Sequence, residues 1–298
     1  MKKFTTLLLV LMMLTLTACS GSDSNKADSS NTGNNKNNNN EQESSTEKEI
    51  ISKEGDVLVD NEYCKITYMG LYTERSNLFG KFSIENKTDI KIAVDFQYGS
   101  VNGLICNWNQ SIKVDPNSSE EIARVIADDY VLAKAGMKAE DISVVDFVLE
   151  VWSSDPVTYY HQESHTLYPV GSNSTTHYER TSTDTDIVLI DNDVCKITYL
   201  GYEKEVDDPL YFNLYIENKT DKELRLAFPA SRVDGKLKAV THNYPTLTGG
   251  TSMYYSPSWW SLEEYSMDDI NTVELAIEAY VDQKYATPAM DEVVTVTP

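Results

Sequence analysis

Apolar and polar residues alternate with a period of two along most of the chain. Cys64, Ile66 and Tyr68 alternate with Lys65 and Thr67, and Phe82 and Ile84 with Lys81, Ser83 and Glu85. Ile92, Val94 and Phe96 then alternate with Ala93 and Asp95, and Val145, Phe147, Leu149 and Val151 with Asp146 and Glu150. The second half repeats the pattern at Phe212, Leu214 and Ile216, at Leu224, Leu226 and Phe228, and at Val273, Leu275, Ile277 and Ala279. Such alternation predicts strands with one buried and one wet face.

The correspondence between the halves is literal in places. Cys64-Lys65-Ile66-Thr67-Tyr68 recurs as Cys195-Lys196-Ile197-Thr198-Tyr199, and Ile84-Glu85-Asn86-Lys87-Thr88-Asp89 as Ile216-Glu217-Asn218-Lys219-Thr220-Asp221. A duplicated folding unit is the reading. Asn86–Asp89 and Asn218–Asp221 are expected as hairpin turns, and Val101-Asn102-Gly103 and Val233-Asp234-Gly235 as further turns. One short helical turn is expected in each copy, at Asp128–Ala135 with Gly136 as its stop, and at Ser258–Tyr265. The expected fold class is all-β: two tandem antiparallel β-sandwich domains, immunoglobulin-like in layout, each of roughly six to eight strands. The boundaries are 56–170 for the first repeat, 171–186 for a Ser/Thr-rich linker and 187–298 for the second repeat.

The start of the chain is different in kind. Met1-Lys2-Lys3 is cationic, Phe4–Ala18 is an apolar run too short to span a bilayer, and the run ends in Leu16-Thr17-Ala18-Cys19. These are signal-peptide proportions. The ending resembles the lipobox of bacterial lipoproteins. The resemblance implies that residues 1–18 are removed and that Cys19 is lipidated and becomes the mature N-terminus. It further implies a chain held at the cell membrane, facing the extracytoplasmic side. The alternative is an ordinary secretory leader with a coincidental cysteine. Residues 19–55 read as a disordered tether, rich in Asn, Ser and charged residues and with a reach on the order of 30 Å. The whole layout resembles uncharacterised bacterial surface lipoproteins with immunoglobulin-like domains of unknown function, a group that brings no active site to carry over.

Composition narrows the partners. Asp and Glu number 47 against 25 Lys and Arg, a formal charge of −22, so nucleic acid is not an expected partner. Cys64 and Cys195 are equivalent positions, whereas Lys238 stands where Cys106 would recur. Free buried thiols are the expectation, and a Cys64–Cys106 disulfide the alternative.

No nucleophile elbow, phosphate loop, dinucleotide fingerprint or His-Glu-x-x-His motif occurs, and no cofactor is expected. His161, Glu163, His165 and His177 are zinc-competent side chains. Their segment reads as a hairpin tip and linker with no equivalent in the second copy, so solvated polar residues and no metal are expected. Acidic pairs such as Asp128-Asp129, Asp207-Asp208 and Asp268-Asp269 fit a solvated face better than a calcium loop.

One cluster belongs to the second copy alone: Tyr254, Tyr255, Trp259 and Trp260. Exposed, these rings suit stacking on sugars or docking a protein; packed, they close the end of a sandwich or meet the first repeat. The expected function is that of a non-enzymatic, lipid-anchored binding protein whose partner is a cell-envelope glycan or protein. A carbohydrate-binding module using those four aromatics is the alternative, and a carboxylate-dependent hydrolase a further one.

Overall fold

A computed structural model describes residues 49–298 except 107–109, 155, 204–209, 230, 239, 241–243, 260–269, 283–286 and 298. The leader, Cys19, most of the tether, Asp207-Asp208, Asp268-Asp269 and Trp260 therefore lie outside the described residues. The described chain is built of strands that pair antiparallel apart from one parallel bridge, with one α-helix and two short 3-10 turns, the all-β class that the period-two pattern predicts. No helix among the described residues is long and apolar enough to cross a membrane.

In the first half the strands are β1 (Val57–Asp60), β2 (Cys64–Glu74), β3 (Asn77–Asn86), β4 (Ile92–Val101), β5 (Leu104–Ile105), β6 (Gln110–Val114), β7 (Ser119–Ala127), β8 (Val145–Ser154) and β9 (Val157–Leu167). One sheet runs β1-β2-β3-β7, and β4 pairs with β5, β6 and β8, which carries β9 at its edge. Ile66, Phe82 and Ile84 from the first sheet share one apolar cluster with Phe96, Phe147 and Leu149 from the second. The Phe82 ring lies 4.7 Å from Phe96 and meets Phe147 edge-on at 6.0 Å. Burying each such ring stabilises by about 1.5–3 kcal/mol.

The second half repeats the plan with β10 (Ile187–Asp191), β11 (Cys195–Glu203), β12 (Leu210–Asn218), β13 (Leu224–Ala227), β14 (Ser231–Val233), β15 (Lys236–Lys238), β16 (Thr246–Leu247), β17 (Ser252–Tyr255), β18 (Ser258–Trp259), β19 (Val273–Val281) and β20 (Met290–Val296). Here β10-β11-β12-β17 form one set, with β18 also on β12, and β15-β14-β19-β13-β16 the other, with β20 on β19. Their apolar side chains form a second cluster. The matching pentapeptides occupy matching registers, Cys64 opposite Asn86 and Cys195 opposite Asn218.

The repeated Asn-Lys-Thr-Asp strings are not hairpins. Each links strands of different sheets, β3 to β4 and β12 to β13. The physical reason is the asparagine. Asn86 Nδ2 donates to the carbonyls of Ile90, Val114 and Asp115, and its Oδ1 accepts from Thr88 N and Oγ1. Asn218 makes the same set to Lys222, Leu247, Thr248 and Thr220. A buried amide thus satisfies the corner backbone where the chain changes sheet.

The helix α1 (Asp129–Ala135) forms where the capping pattern puts it. Asp128 Oδ1 accepts from Val131 N at 2.8 Å, and Gly136 closes the helix at φ +65°, a left-handed turn that glycine adopts without strain. Of its expected counterpart, Ser258–Trp259 is strand β18, and the remaining residues 260–265 lie outside the described residues. The segment around His161 and His165 is likewise the middle of β9 rather than a hairpin tip.

Residues 47–298 form one compact unit, and the two halves are joined in three ways. Ser252 of β17 lies parallel to Leu104 of β5, and Ser252 N donates to Gly103 O at 2.9 Å. Ile105 packs in the second apolar cluster. The segment expected as a linker is docked, with Tyr178 N donating to Asn102 O at 2.7 Å and Thr176 N to Ser143 Oγ at 2.8 Å. The expected tether is also shorter than 19–55. Ser52 N donates to Tyr168 O and Ser172 N to Ile50 O, so residues 50–52 are zipped onto the end of the first half.

Cys64, Cys106 and Cys195 are buried free thiols. Burial pushes them up to about 11, 12 and 11 respectively, so they behave as small apolar fillers.

Candidate functional site

The aromatic cluster of the second copy is mostly packing. Trp259 is wholly buried; its Nε1 donates to Ser231 Oγ at 2.6 Å and its ring meets Phe212 edge-on at 5.2 Å. A ring with no exposed face cannot stack on a sugar, and this corrects the expectation for Trp259. Tyr255 is half-buried and stacks on Phe228 at 5.4 Å. Its hydroxyl is pushed up by burial.

Tyr254 sits at the junction of the halves. Its hydroxyl donates to Lys134 O at 3.2 Å, at the end of α1, and pairs with Tyr178 Oη at 2.7 Å. The Lys134 ammonium lies 5.2 Å from the Tyr254 ring centroid. Tyr215 packs against Tyr254 at 5.2 Å, and the Arg180 guanidinium lies 5.7 Å from the Tyr215 ring. Arg180 in turn makes a two-pronged pair with Asp186, at 2.5 and 2.8 Å. That pairing and bonds from Thr183 hold the Asp186 carboxyl well below the usual carboxylate range. The tyrosines therefore fasten α1, the docked segment and the second half together. The sequence signal for this was a Tyr and an Arg within an otherwise Ser/Thr-rich stretch.

Beside that junction is an open cleft of about 420 Å³, walled by Asn102, Gly103, Asp146, Thr166, His177 and Thr251 among others. Asn102 is part of the frame: its Oδ1 accepts from Ser143 N and Val144 N, and its Nδ2 donates to Asp141 O. Asp146 accepts from Thr166 Oγ1 at 2.6 Å. His177 Nε2 lies 3.1 Å from Gly250 O. Gly103 has φ +79°, and a Cβ there would stand 2.3 Å from the His177 ring, so glycine is needed for both conformation and space. This cleft is not legible in the sequence, because its walls come from distant stretches of chain.

The histidines of β9 form a separate group. His161, Glu163 and His165 alternate along the strand and lie opposite Val151, Leu149 and Phe147 of β8, whose side chains are in the core. Directly opposed residues share a face, so the three point to the core side at the sheet's edge. Their ligand-type atoms all lie within 4.8 Å of one another. Both imidazoles are half-buried, and neither Nε2 has a hydrogen-bond partner. This departs from the expected solvated polar residues. The 3.9 Å from His161 Nε2 to Glu163 Oε2 is beyond hydrogen-bond reach. Burial, partly offset by Glu163, pulls the His165 pKa down. His177 is not of this group.

On the opposite face of the same sheet, Asp95 of β4 faces Glu150 of β8. Asp95 accepts from Trp152 Nε1 at 2.8 Å, and Glu150 from Gln97 and Gln162 at 2.8 and 2.7 Å. Burial and then the Asp95 charge raise the Glu150 pKa. The pair is tied by amides and an indole, Asp95 Oδ1 is left without a hydrogen-bond partner, and neither residue is among the cleft walls.

No family model matches the sequence, and no curated protein matches it. Among solved structures, the chain is similar to a crystal structure of the YadV chaperone at 11% identity and a TM-score of 0.22, over 74% of this chain and 92% of that one.

Proposed function

We propose that this is a lipid-anchored, extracytoplasmic binding protein without catalytic activity. In this reading Cys19 carries the lipid and a shortened tether spaces the folded part from the membrane. Two immunoglobulin-like sandwich units, locked to each other through the docked 171–186 segment, hold the binding surface rigid. The observation that carries the binding role is the cleft at the junction. Its volume falls in the range of small-molecule sites, and hydroxyls from Thr166 and Thr251, the Asp146 carboxylate and the His177 imidazole line it. Such a lining suits a neutral, hydroxyl-rich ligand, and an envelope glycan is the class favoured. The glycan reading thereby moves from Trp259 to the cleft.

Two measurements test this. The full chain should partition into detergent when expressed with its own leader, and Cys19→Ser should release it to the aqueous phase; an unchanged partition would refute the anchor. On an array of envelope-polysaccharide fragments, Asp146→Asn and His177→Gln should each reduce binding at least about tenfold, the cost of one lost polar contact of about 1.4 kcal/mol. Absence of any glycan bound by the wild type, or binding indifferent to both changes, would refute the cleft as the site.

A further inference from the structure

We propose that His161, Glu163 and His165 form a binding site for a divalent transition ion of the zinc class. The proposal is independent of the anchor and of the cleft.

The donor set comes first. Two imidazoles and one carboxylate are a three-ligand set for zinc, which leaves a fourth, open position for water. The same set also accepts neighbouring divalent ions such as cobalt. The geometry is close to that needed. A tetrahedral ion with bonds of about 2.1 Å separates its ligand atoms by roughly 3.4 Å. Here the ligand atoms lie within 4.8 Å, with His161 and Glu163 at 3.9 Å, so side-chain rotation on the order of an ångström closes the group on an ion.

The rings are already held. Phe147 stacks on His165 at 5.8 Å, and the His161 and His165 rings are 5.8 Å apart. Glu163, with its side chain 67% exposed, supplies negative charge and a route in from solvent.

The duplication supplies the second line of argument. Val145, Phe147, Leu149 and Val151 of β8 correspond to Val273, Leu275, Ile277 and Ala279 of β19. Opposite that set, β9 presents His165, Glu163 and His161, and β20 presents Val294, Glu292 and Met290. The fold thus accepts valine and methionine at these positions. The first copy instead carries two imidazoles there, each with a buried Nε2 that no protein group satisfies. An unsatisfied buried polar atom in a native fold calls for an explanation, and a metal bond at each Nε2 provides one.

The test uses the full chain in detergent, stripped with a chelator and titrated with Co²⁺ as a spectroscopic substitute for Zn²⁺. The expected result is one Co²⁺ per chain, with the visible bands of a low-coordinate site, displaced by Zn²⁺. The variant H161M/H165V copies the second repeat and is expected to fold. It should lose more than the roughly 10–100-fold in affinity that removing an outer-shell partner costs. Should that variant not fold by circular dichroism, Glu163→Gln at the exposed position decides, with at least about tenfold weaker binding expected at an unchanged fold. No saturable Co²⁺ binding by the wild type overturns the proposal. So does binding that survives H161M/H165V undiminished, or that is lost instead on His177→Gln.

Discussion

Replacing Asn86 by alanine removes the bonds that let the chain turn from one sheet into the other. The residue is 1% exposed. Its Nδ2 donates to Ile90 O at 2.8 Å, Val114 O at 3.1 Å and Asp115 O at 3.0 Å, and its Oδ1 accepts from Thr88 N at 2.9 Å and Thr88 Oγ1 at 2.7 Å. Two amide hydrogens serve three carbonyls, so one bond is shared. At a net 0.5–1.5 kcal/mol for each of about four bonds, the set contributes roughly 2–6 kcal/mol. Water can repair the groups at the exposed end of the corner but not the Val114 carbonyl, whose residue is fully buried. The expected loss is therefore about 3 kcal/mol, or a fall in melting temperature of roughly 6–12 °C for a unit of this size. Asn86→Asp is the sharper variant, since it keeps the shape but turns an oxygen toward three carbonyl oxygens; it should cost at least as much. Urea unfolding gives the free energy, and amide exchange in β3 and β12 reads the halves separately. Asn218→Ala should show a matching loss with its main effect in the second half. An Asn86→Ala protein within about 1 kcal/mol of wild type, or Asn86→Asp milder than alanine, would refute the corner-amide account.

Gly103→Ala meets both a positive φ and the His177 ring; it should destabilise by more than about 1 kcal/mol and open the 171–186 segment to limited proteolysis. Trp259→Ala empties a fully buried site and leaves Ser231 Oγ without its indole donor. A loss of about 3–5 kcal/mol is expected in thermal unfolding, so this variant reports on folding rather than on sugar stacking. For Asp186 the folded pKa is depressed below the unfolded value of about 3.9. The stability its pair with Arg180 contributes is therefore present above that value and is lost as the pH falls through the folded one. Asp186→Asn should be less stable by about 1.5–3 kcal/mol at pH 7, and denaturation across an acid series should show the gap closing only below the usual carboxylate range. Cys64, Cys106 and Cys195, buried and with raised pKa values, should resist alkylation in the native protein at pH 8 and react fully in urea.

What the sequence made legible follows from range. Strand alternation is local, and β2, β3, β4, β8, β12 and β19 fall where the alternating runs lie. The Asp128 cap and Gly136 stop are local too, and α1 forms between them. The corners are not legible locally, because hairpin and sheet-to-sheet turns share polar composition. The difference lies in Val114 and Leu247, the far carbonyls to which Asn86 and Asn218 reach. The cleft was illegible for the same reason, since Gly103, Asp146, His177 and Thr251 meet only in the folded chain.

The duplication decides how differences between the copies are to be read. In the sequence the second copy's extra aromatics read as a specialised surface, yet Trp259 fills a core and Tyr254 fastens the junction. A residue unique to one copy is evidence of specialisation only when the other copy shows that the fold manages without it at the same register. That test of register is not enough alone: Ala127 stands opposite Leu78 where Trp259 stands opposite Leu210, yet the Trp259 ring completes its own core and its Nε1 has Ser231 Oγ as a partner. His161 and His165 pass it, because Met290 and Val294 occupy the matching rungs on β20. Their own alternation with Gln162 and Ser164 was already the strand signal that removes them from a loop. Once on a strand facing the core, two imidazoles without hydrogen-bond partners at Nε2 cost stability relative to the apolar pair. Chemistry at β9, rather than packing, is what accounts for them.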